Sequence, residues 1–305
     1  MINVSYPLSK LLWICRVIGL SMLFLAVLPS LFGELATGRD IAPSESSTGK
    51  GSIWKGPDGA FLPFENSEEV TEFLLTAEVI GMEEISEGVT GPKRVLLEKD
   101  GIQMRAIFRE VDSSRSIGPG LKGKLRRNFR DYYAFEVAAY ELSRMLGLDS
   151  VPPAVLRRIN RNSGSLQVWI ENALTEKKRS SEGLEPPNPL RYSRQIQIMS
   201  IFDNLVYNED RNLGNILFDE NWKLWMIDHT RTFRLEVELS EPEAIMSCSE
   251  DLWNNLRNLN EADFKERMDQ FLRGSQVKAL FARKMALIEH IQKRIDEKGE
   301  KAVLF

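Results

Sequence analysis

The chain has 305 residues, 43% of them hydrophobic and 9% aromatic, enough apolar material for one large domain or two lobes with buried cores and too much for global disorder. Its 40 Lys and Arg against 44 Asp and Glu leave a net charge of -4, without the basic surplus that marks a dedicated nucleic-acid binder. Two cysteines, one of them inside an apolar N-terminal run, exclude a disulfide framework, and two histidines exclude a multi-histidine zinc site.

Residues 1–36 read as a targeting segment. Lys10 and Arg16 lie before an apolar run from Val17 to Gly33, which is the layout of a secretory signal peptide. Leu11 to Cys15 extends that run across Arg16, so an uncleaved membrane anchor competes with it. The body of the protein is therefore expected to be exported (periplasmic) or tethered to a membrane through residues 11–33. Residues 37–64, which start rich in Ser, Gly and Thr, are expected to form a linker. An amphipathic helix follows over 65–77, with Val70, Phe73, Leu74 and Ala77 on one face and Asn66 or Ser67 as its cap.

Three strands are predicted next, at 77–86, 93–98 and 102–109, the last two joined by the turn Lys99-Asp100-Gly101. The first connection contains Gly88 and Gly91. It is an ordinary hairpin turn that can also bring backbone amides to a phosphate. Residues 113–129, with Arg115, Lys122, Lys124, Arg126 and Arg127, read as a basic solvated loop. A helix is expected over 131–147, capped by Asp131, closed by Gly147 and carrying Glu136 and Glu141. Strands at 154–159 and 165–170, joined by a turn at 162–164, complete a β-β-β-α-β-β order, an antiparallel sheet with one inserted helix. Residues 175–192 read as a polar connection, 193–207 as a well-buried helix, and 241–305 as helical scaffold. The domain reading is an N-terminal lobe over 65–172 and a C-terminal lobe over 173–305. The fold class is α+β.

The chemistry is concentrated between Asn208 and His229. A polar cluster, Asp210-Arg211-Asn212 with Asn215, leads into the strand Ile216-Leu217-Phe218, the turn Asp219-Glu220-Asn221 and a second strand that ends on Asp228. An Asp-Arg pair alone is most simply a capped turn with an internal ion pair. Here the acid, the spaced amide, the hairpin and the terminal acid fall within about 20 residues. Asn215 and Asp228 are oxygen ligands of the kind Mg²⁺ takes together with substrate phosphates. Asp210 is placed to accept a proton from an attacking hydroxyl.

These residues carry a family resemblance. Asp210-Arg211-Asn212-Leu213-Gly214-Asn215-Ile216 with Ile227-Asp228-His229 resembles the phosphatidylinositol 3-/4-kinase-like branch of the protein-kinase-like superfamily, and is similar to the related HipA-type and secretory-pathway kinases. The resemblance implies a two-lobed kinase fold that binds ATP and Mg²⁺ and transfers the γ-phosphate to a hydroxyl of a protein, lipid or small molecule. It implies Asp210 as catalytic base beside Arg211 and Asn212, with Asn215 and Asp228 on the metal. It places the nucleotide hinge at 167–171, with Trp169 and Glu171, and the phosphate side at Arg109, paired with a helix glutamate that is Glu136 or, as the runner-up, Glu141; the Gly88–Gly91 turn would lie on the same side. The sequence departs from the family pattern in three places. Asn212 stands for a histidine, His229-Thr230 for Phe-Gly, and Arg109 for the strand lysine. Arginine keeps the charge but not the shape. The alternative function is therefore a catalytically impaired pseudokinase acting as a binding module.

Overall fold

The structure is a computed structural model that describes residues 52–85, 91–119 and 125–305. Residues 1–51, which hold the expected targeting segment and most of the expected linker, lie outside the described residues, as does Gly88. Within residues 52–305, no helix among the described residues is long and apolar enough to cross a membrane.

Ser52–Phe305 form one compact unit. Its first half is built on an antiparallel five-stranded sheet in the order β1-β2-β3-β7-β6. The strands are β1 (Glu78–Glu84), β2 (Lys93–Lys99), β3 (Ile102–Arg109), β6 (Ala154–Ile159) and β7 (Asn162–Val168). Helix α1 (Ser67–Thr76) starts on Asn66, whose side chain accepts from the Glu69 amide at 2.9 Å. It buries Val70, Phe73 and Leu74 against Val95, Leu97, Met104, Ala106, Phe108, Leu166 and Val168. Those sheet residues share one face, so Ile107, Arg109 and Gln167 project from the other. Helix α2 (Ala134–Met145) packs beside β6 and β7 and ends ahead of Gly147, whose φ of 67° suits glycine.

Several expectations are corrected. Residues 52–64, assigned to the linker, are packed: Trp54, Leu62 and Phe64 are buried, and Trp54 meets Trp225 at 5.5 Å between ring centroids. The apolar spacing was too irregular to mark a helix or strand, but three large side chains still bury area. Residues 113–129 are not a loop but a two-stranded ribbon, β4 (Asp112–Pro119) and β5 (Leu125–Tyr132), with Arg115 opposite Phe129. Its composition reads as loop because charged residues and glycine interrupt any period-2 apolar alternation. Asp131 therefore sits on β5, and α2 has no side-chain cap. The turn before β7 is Asn160-Arg161, both at positive φ, so 162–164 belong to the strand.

The second half begins with β8 (Leu174–Thr175) and α3 (Glu176–Ser181), inside the stretch expected as a polar connection. Helix α4 (Pro189–Val206) starts earlier than expected because Asn188 caps it and Pro189 occupies the first turn. It ends on Tyr207 in the left-handed region. β9 (Ile216–Phe218) and β10 (Leu224–Met226) form the expected hairpin, and β8 adds to its edge. Helices α5 (Glu250–Asn258), α6 (Glu261–Met268), α7 (Gly274–Lys298) and α8 (Glu300–Val303) supply the scaffold. In α7 the fully buried Arg283 donates to the carbonyls of Leu205 at 2.8 Å and Arg234 at 3.1 Å, tying that helix to α4.

Gly164 marks the tightest approach in the sheet. A Cβ there would lie 2.4 Å from the Arg109 carbonyl oxygen and 2.5 Å from the buried Phe108 ring. Gly164→Ala is expected to destabilise the protein by about 1–3 kcal/mol or more through overpacking, read as a lower urea midpoint with an unchanged m-value.

Candidate active site

The site forms where three elements end: β3 at Arg109, α2 in its first turn, and the β9–β10 hairpin between the 208–215 loop and the 227–234 segment. Glu136 lies at their meeting point and is fully buried, while Arg109 is only 5% exposed. Arg109 Nε stands 3.8 Å from Glu136 Oε1, and its Nη1 donates to Gln167 Oε1 at 3.5 Å. The other expected partner, Glu141, faces Arg144 and Arg267 instead. Burial alone would raise the Glu136 carboxyl. The Arg109 guanidinium and the contacts from His229 outweigh it and hold the group well below the usual carboxylate range.

The contact from His229 is a backbone one: its N–H donates to Glu136 Oε1 at 2.7 Å. Its ring is fully buried, with Nδ1 3.6 Å from Glu136 Oε2 and Nε2 2.9 Å from Arg211 Nη2. Because Arg211 can only donate, Nε2 is the acceptor and Nδ1 carries the proton. His229 thus holds the segment after Asp228 in place, where the family pattern has Phe-Gly.

Arg211 is a hub. It forks onto Asp203 with Nε to Oδ2 and Nη2 to Oδ1, both 2.9 Å. Its Nη1 donates to the carbonyls of Asn215 at 2.8 Å and Ile227 at 2.7 Å. One side chain therefore fixes α4, the loop and both strand ends. Asn208 supports the loop by accepting from the Asp210 amide at 3.0 Å and donating to Asp203 Oδ1 at 3.1 Å. Asn212 shapes the turn, accepting from the Gly214 amide at 2.8 Å. It is a loop-building residue in this geometry.

Asn215 Nδ2 donates to the Asp210 carbonyl at 3.1 Å, which turns its Oδ1 outward with no hydrogen bond among the described residues. Asp228 has φ +62°, a left-handed backbone that aspartate tolerates. Among the described residues its Oδ1 meets the Thr230 hydroxyl at 3.3 Å and its Oδ2 has no hydrogen bond. Two outward oxygens, one amide and one carboxylate, fit a hard divalent cation that takes its remaining ligands from phosphates and water. Among the described residues no cluster of three or more His, Cys, Asp or Glu offers an alternative metal site.

Asp210 is half-buried. Burial lifts its carboxyl above the ordinary range, the nearby Asp228 adds to the lift, and Arg231 offsets part of it. Arg231 donates from Nη1 to Asp210 Oδ2 at 2.9 Å and from Nε to Asp131 Oδ2 at 2.7 Å. Asp131 is not legible as a site residue, because the sequence places it as a helix cap. Arg231, in the Ile-Asp-His-Thr-Arg segment, is open in the sequence between a phosphate contact and an ion pair, and the structure gives it two ion pairs.

At the hinge, the Trp169 amide donates to the Arg105 carbonyl at 3.0 Å and so continues the sheet. The Trp169 ring lies under the Arg94 guanidinium, 5.3 Å away. The buried Glu171 carboxylate pairs with Arg105 Nε at 3.1 Å. Gly91 has φ +62° and open space around it. A cavity of about 790 Å³ between the end of α2 and helices α5 and α6 is lined by none of these residues.

No protein-family model and no curated protein sequence matches the chain. Solved structures do. A hydra Fam20, solved with sugar, matches with a TM-score of 0.57 and 15% identity over 78% of this chain and 91% of that one. The Golgi casein kinase matches with a TM-score of 0.52 and 14% identity over 78% of each chain. Its structure with Mn/ADP bound gives 0.54 at the same identity and coverage. The fold is therefore protein-kinase-like.

Glu136 offers a direct stability test. Its depressed carboxyl contributes stability that is present above its unfolded-state value near 4.5 and is lost as pH falls through the lower folded value. Glu136→Gln leaves Arg109 buried without a counter-charge, and is expected to cost about 3–5 kcal/mol at pH 7. Urea unfolding should show the gap from wild type narrowing as the pH drops below 4.5.

Proposed function

We propose that the protein is a phosphotransferase that uses ATP and a divalent cation, Mg²⁺ or Mn²⁺, to phosphorylate a hydroxyl acceptor. The observation that carries this reading is the pair of outward oxygens on Asn215 and Asp228 beside the half-buried Asp210 carboxylate, held by Arg211 on a protein-kinase-like fold. The Golgi casein kinase solved with Mn/ADP supports the nucleotide and metal pairing.

When bound, the metal would neutralise charge on the transferring phosphates. Asn215 and Asp228 would hold it. Asp210 would orient the acceptor hydroxyl and take its proton. The hinge at 167–171, with Trp169 and Glu171, would border the base of the nucleotide. Gly88 and Gly91 would cover its phosphates. Arg109, set by Glu136 and Gln167, would face those phosphates in place of a lysine. The motif's likeness to phosphatidylinositol 3-/4-kinase-like and HipA-type enzymes rests on the 203–234 region and leaves the acceptor open between protein, lipid and small molecule. The N-terminal segment supports export or membrane attachment. Extracellular ATP is scarce, so an anchor that leaves the domain in the cytoplasm would suit this activity better.

One observation favours a second reading, a pseudokinase that binds without transferring. Arg109 is buried and already engaged by Glu136 and Gln167. Mg·ATP binding and turnover separate the two. Wild type should bind and turn over nucleotide. Asp228→Ala should lose metal-dependent binding, while Asp210→Ala should bind normally and lose about 10²–10⁴ in turnover. Binding without turnover in wild type would favour the scaffold, and absence of binding would remove both.

A further inference from the structure

We infer that Arg231 reads an anionic group on the acceptor, so that the hydroxyl compound used by this site carries a phosphate or carboxylate close to the hydroxyl it gives up. The inference rests on the phosphotransferase reading above and extends it to the substrate class.

Arg231 differs from Arg211 in having a solvent-exposed donor to spare. Arg211 spends all three guanidinium nitrogens on protein acceptors, and its side chain is 6% exposed. Arg231 is 28% exposed and uses Nε for Asp131 and Nη1 for Asp210, with Nη2 making no hydrogen bond among the described residues. Its position is nevertheless fixed. Asp131 is buried, the Phe129 ring lies 5.7 Å from the guanidinium carbon, and the backbone is pinned by the Tyr132 amide on the Thr230 carbonyl at 2.8 Å. The Thr232 hydroxyl, donating to the His229 carbonyl at 2.6 Å, closes the turn around it. A guanidinium held flat by two carboxylates, with Nη2 still free to donate, suits an oxyanion.

The neighbouring group sets the spacing. Asp210 Oδ2 is held by Arg231, while Oδ1 has no hydrogen bond among the described residues and is 32% exposed at the level of the side chain. An acceptor hydroxyl on Oδ1 then lies beside the guanidinium, so an anion within a few atoms of that hydroxyl meets Nη2. In the transfer, the hydroxyl oxygen bonds to the γ-phosphorus. The bond from that phosphorus to the bridging oxygen breaks, with the electron pair leaving on ADP. The hydroxyl proton passes to Asp210.

Glycerol, glycerate and glycerol 3-phosphate form a matched set with no anion, a carboxylate and a phosphate. Each is titrated by calorimetry into the protein holding Mg²⁺ and a non-hydrolysable ATP analogue. The two anionic compounds should bind and glycerol should not. Arg231→Met should weaken them by about tenfold or more and leave nucleotide affinity within about twofold. Arg231→Lys, which keeps charge without the fork, should fall between and serves if the Met variant does not fold. Equal binding of all three, no binding to protein that holds the analogue, or unchanged anion affinity in the folded variant overturns the inference. So does a loss of nucleotide affinity, which would put Arg231 on the nucleotide phosphates instead. Failure of the analogue to bind wild type, measured before any acceptor is added, overturns the phosphotransferase reading.

Discussion

The site depends on one buried carboxylate. Glu136 is taken wholly out of water, and such a group is tolerable only when charge and hydrogen bonds surround it. It receives both, from Arg109 at the end of β3 and from the backbone and ring of His229 after β10. Through His229 the constraint passes to Arg211, and through Arg211 to Asp203, Asn215 and Ile227. A sheet strand, two helices and the β9–β10 hairpin are thereby joined by buried side chains. The spacing of Asp210, Asn215 and Asp228 is a consequence of that chain rather than of the loop alone.

The residues at which this sequence departs from the kinase pattern it resembles make sense within that network. Histidine where phenylalanine is usual gives Arg211 an acceptor and Glu136 a facing ring nitrogen. Arginine where lysine is usual reaches both Glu136 and Gln167, which a single ammonium would serve less well. The cost is that the cation sits deep, with the sheet on one side and α2 on the other. Asn212, in the place of a histidine, is used for the turn itself.

Much of the fold was legible because it is periodic. Apolar runs bounded by the Lys99-Asp100-Gly101 turn marked β2 and β3, and helical spacing marked α1, α2 and α4. The β4–β5 ribbon was hidden, since its charged composition carries no continuous hydrophobic pattern, although Phe129 and Asp131 near its end are buried. The packing of residues 52–64 was hidden for the opposite reason: Trp54, Leu62 and Phe64 are buried from an irregular segment with no period. Missing the ribbon also concealed Asp131, which only as a strand residue comes beside Arg231.

What the sequence determined by itself is the local chemistry: an acid, an amide and an acid set on a hairpin whose length and turn are fixed by neighbouring residues. It also narrowed the partner of Arg109 to two glutamates on one helix. Only the tertiary structure decided between them, because Glu136 and Glu141 differ by the direction each faces, one into the protein and one to Arg144 and Arg267. Only the tertiary structure brought Arg231 onto Asp131, 100 residues away, and onto Asp210. Backbone preferences act over a few residues, whereas ion pairs and buried hydrogen bonds join whatever the packed core places side by side.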